Sequence, residues 1–517
     1  MRKTQLERFV PSGLVLDLRP WEVGPEVWTG GSNIRFGDGV AWSAVGALPM
    51  YGSPPQQLVQ WFLPVNEPGL VAPTLFVAGN GGCSVTDGYG AYVSVTPAGW
   101  TAGPETPQKA FSGGVLNHVL VVSHPEYGPF YFPGGSEALR ALPGWPVGDR
   151  AGVLRPFGYF LVAGDLVVGG EVLPDSLRWS NSAAAGQIPT QWTPTANNDA
   201  GDLQLGDSAG SIIAMESLGA SLAVYKHHAA YLIDWVGGQN TMAQRRVSAS
   251  VGALSRNAVC AFGGVHWLVC DGDLVVFDGQ EVRSIASRKV RRTFFSQLGE
   301  VDSIQVVANV GRNEIMFCQG QGGDGVDATT AWLYDTKTGG WGRRTLPGVR
   351  WIAPSFLPLG TTGDTPWALS TITWAQDAST WAQAEVEAAQ QVVVGAAGNV
   401  FLGLDVPGES GQAGAWVELE KLCMDCGDAQ AVKWARRVTV NAEALAGVQV
   451  QVRVGSQMSE TDAVRWGPWK SIVVGVDAKC WTESSRGRFI SVAMRCPADL
   501  PVRIPGFDLE LVGMGLE

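Results

Sequence analysis

Stretches of helical periodicity are almost missing from this chain, long apolar runs are missing altogether, and cysteine and histidine are scarce. Each shortage excludes something. No segment offers the roughly eighteen uncharged apolar residues that a bilayer-crossing helix needs, so no membrane segment is expected. The start, MRKTQLERFVPSG, is basic but lacks the apolar core and small-residue cleavage site of a secretory leader. Folding in a cytoplasm is the expectation. Eight cysteines in 517 residues are too few for a disulfide scaffold. The single CxxC, Cys423 and Cys426, is not matched by Cys480 and Cys496 at zinc-ribbon spacing, so these read as buried thiols and not as a metal site. The five histidines, His118, His124, His227, His228 and His266, make no HExxH or HxH pair. His227 and His228 fall between the strands of one hairpin, where successive side chains point to opposite faces, so they are not expected to share a metal. No GxSxG, no Walker-type loop and no strand-to-helix GxGxxG occurs. No cofactor is expected, and the chain is not expected to be an enzyme.

Positive charge is also short, with 36 Lys and Arg against 48 Asp and Glu and a net charge of -12. That argues against coating nucleic acid. It is compatible with an acidic wall along which DNA slides without sticking.

What the chain does contain is 67 Gly, 30 Pro and 21 Trp, a balance that favours turns and aromatic strands. The clearest unit is LGASLAVYKHHAAYLIDWVGG, residues 218–238. Two apolar runs around a short polar stretch read as two antiparallel strands and a turn. Similar units begin near Thr74, Leu116, Phe157, Val265, Asn313 and Val392. Seven copies at spacings of roughly forty to eighty residues suit four-stranded propeller blades carrying insertions. One hairpin cannot bury its apolar face alone, and a ring of blades is the simplest closed solution. An all-β fold follows, with a propeller-like body of about seven irregular blades over residues 51–410 and a β-sandwich over 411–517.

Residues 1–50 read as an arm anchored by Trp21, Trp28 and Trp42. It has two open roles: adding a strand that closes the ring, or docking on a neighbour. YDTKTGGW, from Tyr334 to Trp341, is spaced like one kelch blade, in which the Tyr and Trp pack between sheets. SRKVRRTFF, residues 287–295, offers phosphate contacts through Arg288, Lys289, Arg291 and Arg292. It reads more readily as the solvated face of a short helix with Val290 and Phe294 inward. Asp271, Asp273 and Asp278 each neighbour a turn glycine, which suits turn chemistry better than a paired catalytic acid and base. Residues 371–391, with Trp374 and Trp381, fit a strand and short helix or an irregular loop. In the tail, Val448, Val450, Val452 and Val454 alternate with polar residues as one buried strand face, and five further strands are expected.

Several stretches carry a family likeness. They are SNIRFGDGVAWSAVG (32–46), DSLRWSNSAAAGQIPTQW (175–192), the 218–238 unit, ITWAQDASTW (372–381), VRVGSQMSETDAVRWGPW (452–469), GRFISVAMR (487–495) and IPGFDLELVGMG (504–515). In these the chain resembles the tail nozzle proteins of short-tailed bacteriophages, of the tail tubular protein B and packaged-DNA stabilisation or tail-hub type. The resemblance implies a virion tail protein assembled in the host cytoplasm. It implies a homo-hexameric ring below portal and adaptor, partnered by tail fibres or a tip protein, with double-stranded DNA held in and later passed through the lumen. The family has no catalytic residues to carry over. At 517 residues the chain is much shorter than the largest nozzle proteins. A ring whose lumen is less basic than its adaptor-facing rim is expected. Two other readings are a glycan-binding or glycan-hydrolysing propeller and a cellular protein-interaction propeller. Asn33, Arg35 and Phe36 are candidate adaptor-docking residues from their place in the matching motif. On that assignment, replacing all three with Ala should block tail assembly in a reconstitution with the adaptor, and unchanged assembly would refute it.

Overall fold

The computed structural model describes residues 4–516 apart from 10–11, 45, 67–73, 89–90, 99, 101–110, 239–240, 323–324, 357–390, 406–415, 445–446, 477–478, 483–484 and 498–501. The segment expected to carry Trp374 and Trp381 lies outside the described residues, as does the expected 410/411 boundary.

Seven four-stranded antiparallel blades follow one another along the described chain. Blade 1 comprises Val59–Val65, Thr74–Gly79, Gly82–Thr86 and Val93–Ser94. Blade 2 comprises Ser112–Leu116, Val119–Ser123, Phe130–Tyr131 and Arg140–Ala141. Blade 3 comprises Arg150–Phe157, Phe160–Val168, Glu171–Trp179 and Gly201–Gln204. Blade 4 comprises Ala214–Leu218, Ser221–Tyr225, Ala230–Trp235 and Met242–Ser248. Blade 5 comprises Val259–Phe262, Val265–Cys270, Asp273–Phe277 and Val282–Ser284. Blade 6 comprises Gln305–Asn309, Glu314–Gln319, Ala328–Asp335 and Trp341–Val349. Blade 7 takes Trp351–Phe356, Gln391–Ala397 and Val400–Leu404 from late in the chain and its fourth strand, Ala47–Met50, from the start. Each of the seven repeats falls in its own blade.

Local chemistry makes the hairpins. Asn117 and His118, at φ 50° and 70°, form a two-residue turn between the first strands of blade 2, and Gly263 and Gly264 do the same in blade 5. Apolar side chains on both faces of each sheet then fill the gaps between blades. Val153, Val162 and Leu177 meet Met215, Leu222 and Val224 between blades 3 and 4, and Ala223, Tyr225 and Leu232 meet Leu268 and Val275 between blades 4 and 5. The blade 1–2 gap is bridged by Phe76 and Phe132, ring centres 6.5 Å apart, and by Leu139 N donating to Val95 O at 2.8 Å. Tyr334 and Trp341 of the kelch-like stretch do pack between sheets: their rings lie 4.9 Å apart, and Tyr334 lies 5.4 Å from Trp267 of blade 5.

Beyond blade 7 the tail forms two sheets around a shared core. One contains Ala431–Glu443 and Arg503–Leu516, the other Trp416–Met424, Gln449–Gln457 and Phe489–Pro497. Val438, Val440, Leu509 and Leu511 of the first sheet share that core with Val450, Val452, Val492 and Met494 of the second. The sandwich is not independent of the rest, because residues 4–50 complete it. Thr4–Phe9 pairs with residues 507–512, Gly30–Ser32 with the strand at 418–420, Ile34–Gly37 with blade 6, and Val40–Ser43 with residues 503–504. Blade 6 therefore runs on through the 34–43 hairpin into the sandwich as one eleven-stranded sheet. No described helix is long and apolar enough to cross a membrane.

Of the two roles open to the arm, the structure displays the ring-closing one. Removing residues 1–50 leaves blade 7 three-stranded, strips Met50 from the Phe401 cluster and takes paired strands from both sandwich sheets. The truncated chain is expected to lose cooperative thermal unfolding by circular dichroism. A truncated chain melting as sharply as the full one would refute the clamp's importance.

Candidate functional site

The residues singled out in the 32–46 motif lie inside the molecule. Asn33, Arg35 and Phe36 are about 95% buried, so none is available as a docking surface. Asn33 sits in the left-handed region at φ 54°, and its amide reaches two bodies at once. Nδ2 donates to Trp416 O of the sandwich at 3.0 Å, while Oδ1 accepts from Thr345 N at 2.9 Å and Thr345 Oγ1 at 2.8 Å in blade 6. Phe36 joins the large core shared by blades 5 and 6 and the sandwich. The close approach of this strand depends on Gly342, where a Cβ would stand 2.4 Å from Ile34 O.

Arg35 belongs to a buried charge cluster. Its Nη2 meets Asp405 Oδ2 at 2.6 Å and its Nε lies 3.7 Å from Glu314 Oε2. Arg344 Nη1 meets Asp405 Oδ1 at 3.0 Å and Arg344 Nη2 donates to Gly46 O at 3.1 Å, with Arg312 Nε 3.9 Å from Asp405. Burial pushes the Asp405 carboxyl up, but Arg35, Arg344 and Arg312 outweigh it and hold the group below its ordinary value. Glu314 goes the other way: burial raises it, and Arg35 only partly reverses that. Burial alone would lower the Arg35 guanidinium, and the facing Asp405 and Glu314 carboxylates reverse that too. The cluster ties the arm to blades 6 and 7.

The cationic run is helical over Arg291–Gln297, with Val290 and Phe294 fully buried beneath it. Asp17 of the arm holds the start of this helix, accepting from Arg292 N at 2.7 Å and from Thr293 N at 2.9 Å. Lys289 Nζ donates to Gly339 O at 3.1 Å. Arg291 lies 3.7 Å from Asp273, and Arg288, Arg291 and Arg292 remain exposed. Asp278 Oδ1 accepts from Gln280 N and Glu281 N at 2.9 and 2.8 Å, which is turn chemistry. His227 and His228 differ from expectation: their rings stack 5.2 Å apart, because residues 226–229 form a turn and not a strand.

Two further features lie beyond what spacing can show. Arg256, in the connection into blade 5, donates through Nη1 to Gly152 O of the first strand of blade 3, so one guanidinium spans between non-neighbouring blades on their axial side. Burial lowers its pKa and raises those of Asp165 and Asp302 facing it. On the outer face of the sandwich Trp466, Arg453, Trp469, Arg495 and Trp416 stack alternately, with guanidinium-to-ring distances of 4.2, 4.4, 4.2 and 4.5 Å. Two guanidinium groups, of Arg453 and Arg495, lie within 4.4 Å of the Trp469 ring centre.

No protein-family model matches the chain, and no curated protein sequence matches it. Among solved structures, the extracellular domain of a putative one component system from B. thetaiotaomicron aligns at 9% identity and a TM-score of 0.39, over 71% of this chain and 40% of that one. BBS1N, solved in complex with ARL6DN and soaked with lead, aligns at 10% identity and a TM-score of 0.42, over 71% of this chain and 97% of that one. The propeller rests on the chain's own seven blades and takes nothing from likenesses this distant.

Asp405→Asn deprives the buried Arg35 and Arg344 guanidinium groups of the carboxylate they share and is expected to cost roughly 3–5 kcal/mol of stability. Glu314→Gln should cost much less. Because the folded-state pKa of Asp405 is depressed, its contribution is present above its ordinary value, about 3.9, and is lost as pH falls further. The contribution linked to Glu314, whose pKa is raised, is present at acid pH and lost as pH rises through the raised value. Denaturant melts of both variants at pH 7 and pH 3 check this; equal losses at pH 7 would refute the assignment of Asp405 as the anchor.

Proposed function

We propose that this chain is a structural protein of a short bacteriophage tail, forming a homo-hexameric ring that continues the DNA channel below portal and adaptor and retains the packaged genome until ejection. The observation that carries this reading is where the matching stretches lie. Residues 32–46 form the arm's weld to blade 6 and the sandwich; 175–192 run from the third strand of blade 3 into its long loop; 218–238 are two hairpin strands of blade 4. Residues 452–469, 487–495 and 504–515 supply the sandwich core and the alternating Trp–Arg stack. Two of these stretches, 32–46 and 504–515, thus lie on the joint of arm, blade 6 and sandwich, while 175–192 and 218–238 lie within blades and 372–381 lies outside the described residues.

A mechanical part needs cohesion without chemistry, and sheets that share edges provide it. In this reading DNA runs in the lumen between subunits and not along the propeller axis, where Arg256 reaches between blades. The net charge of -12 suits a wall that DNA passes without binding. With Asn33, Arg35 and Phe36 internal, adaptor and fibre contacts fall to surface residues, and the exposed Arg288, Arg291 and Arg292 are available to touch phosphate.

Cryo-electron microscopy of the purified protein, alone and mixed with portal–adaptor complexes, tests the proposal. Six-fold rings stacked coaxially under the adaptor are expected. Monomers that ignore the adaptor at micromolar concentration would refute it.

A further inference from the structure

Charge is spread unevenly around the propeller. The first strands of neighbouring blades meet about the axis, so each fourth strand faces outward. From Val282 to Gly299, which covers the outer strand of blade 5 and the helix beyond it, the chain has five Lys and Arg and no Asp or Glu. Arg283, Arg288, Arg291 and Arg292 are all exposed there. Of these four, only Arg291 has an ion pair among the described residues, with Asp273 at 3.7 Å. Blade 3 shows the reverse. No Lys or Arg occurs from Trp179 to Tyr225. Asp199 and Asp202, at the outer strand Gly201–Gln204, are exposed, and Asp175 beside them is half-buried and accepts from Gln204 Nε2 at 3.2 Å. One edge of the propeller is thus bare of carboxylates and another is bare of cations.

We infer that these edges are the two halves of one contact between copies of this chain: the arginine edge at blades 5 and 6 of one copy docks on the aspartate edge of blade 3 of the next, with propeller axes parallel to the ring axis. The contact rests on the ring proposed above and names the faces that close it. A head-to-tail ring needs two different, complementary faces, and the angle between them decides whether it closes. Seven blades divide a turn into steps of about 51°. The two edges therefore stand about 100° to 130° apart, from the outer strand of blade 5 to the gap before blade 6, which brackets the roughly 120° between the neighbours of a subunit in a ring of six. Blade 4 then turns toward the lumen. Its outer strand, Met242–Ser248, carries Arg245 and Arg246, each facing an aspartate, Asp234 at 3.6 Å and Asp207 at 3.4 Å, so the wall that DNA meets has its positive charge compensated. The exposed arginines of the blade 5 edge lie to the side, where their partner is protein carboxylate and not phosphate.

Two variants of the full chain reverse one edge each: Arg288→Glu with Arg292→Glu, and Asp199→Lys with Asp202→Lys. Each is checked for wild-type thermal unfolding by circular dichroism, then mixed with portal–adaptor complexes and examined by native mass spectrometry and cryo-electron microscopy. Either variant alone presents two edges of like charge and should lose ring yield by about tenfold or more. Mixed in equal amounts, the two variants should restore rings in which they alternate, with equal numbers of each. The wild-type ring should show blade 3 of one subunit against the gap between blades 5 and 6 of the next, a readout that does not depend on the variants folding. Variants that form rings alone, a mixture that stays dissociated, or a wild-type ring closed by other faces would each overturn the contact and leave the ring standing. Rings of the arginine variant that persist but no longer retain DNA would overturn it too, by giving these arginines to phosphate. Wild-type chains that stay monomeric with the adaptor would overturn contact and ring together.

Discussion

A propeller made from one chain has one seam, and here the seam depends on Ala47–Met50 pairing with Val400–Leu404. The first and last blades can pack only when a strand from near the amino terminus lies beside a strand made some three hundred and fifty residues later. Closure of this kind is costly in chain entropy because the loop is long, although that cost grows only slowly with length. What it gains is a sheet with no loose end: Met50, Tyr51, Phe62 and Phe401 pack in one cluster across the join. The last strand of the arm is also the one that leads into blade 1, so closing the ring and starting it are the same local event.

Buried charge also ties the arm at the seam. Arg35, Arg344 and Asp405 are each nearly inaccessible to water, and Glu314 lies beside them. A buried ion pair is poor evidence for net stability, because desolvating the ions consumes most of the attraction. Its stronger effect is on specificity. Only one register of the arm places Arg35 against Asp405 while Asn33 reaches both Thr345 and Trp416. An arm shifted by one residue would turn these groups to the other face of the sheet and leave buried charges unpaired. The same register seats Asp17 at the start of the Arg291–Gln297 helix.

Beyond the seam, surface chemistry is rigid where it is aromatic. The alternating Trp–Arg stack joins side chains of four neighbouring strands on the outside of the sandwich, and cation–π contacts at such partly exposed sites contribute about 0.5–1 kcal/mol each. A second group sets Arg436 and Arg437 against Trp481, and Arg503 lies over Trp42. On the sandwich, Trp416, Trp466, Trp469 and Trp481 are thus all engaged by arginine, whereas Trp235 of blade 4 stays exposed. The propeller and sandwich behave as one braced body, continuous through the sheet that starts in blade 6.

Much of this architecture was legible in the residues themselves. Gly-flanked apolar runs mark each blade because a strand pair buried on both faces has to be apolar and has to turn tightly, and alternation from Val448 to Val454 marks a strand with one wet face. Val290 and Phe294 show their helix by an i, i+4 spacing alone. Spacing carries no information on which distant segments meet, and that is where the reading of Asn33, Arg35 and Phe36 went astray: polar residues beside a turn look like surface until Asp405 and Thr345, far along the chain, come to cover them. His227 and His228 were placed on opposite faces by a rule that holds within strands, although they lie between the two strands, where the backbone turns. The sequence by itself determined the all-β class, the seven repeats and the lack of a recognisable catalytic motif, since these follow from local period and residue type. Only the tertiary structure decided that the arm closes the ring, that Arg256 reaches between blades on the axial side, and that arginines stack with the sandwich tryptophans, because each depends on pairings between segments whose separation no local pattern encodes.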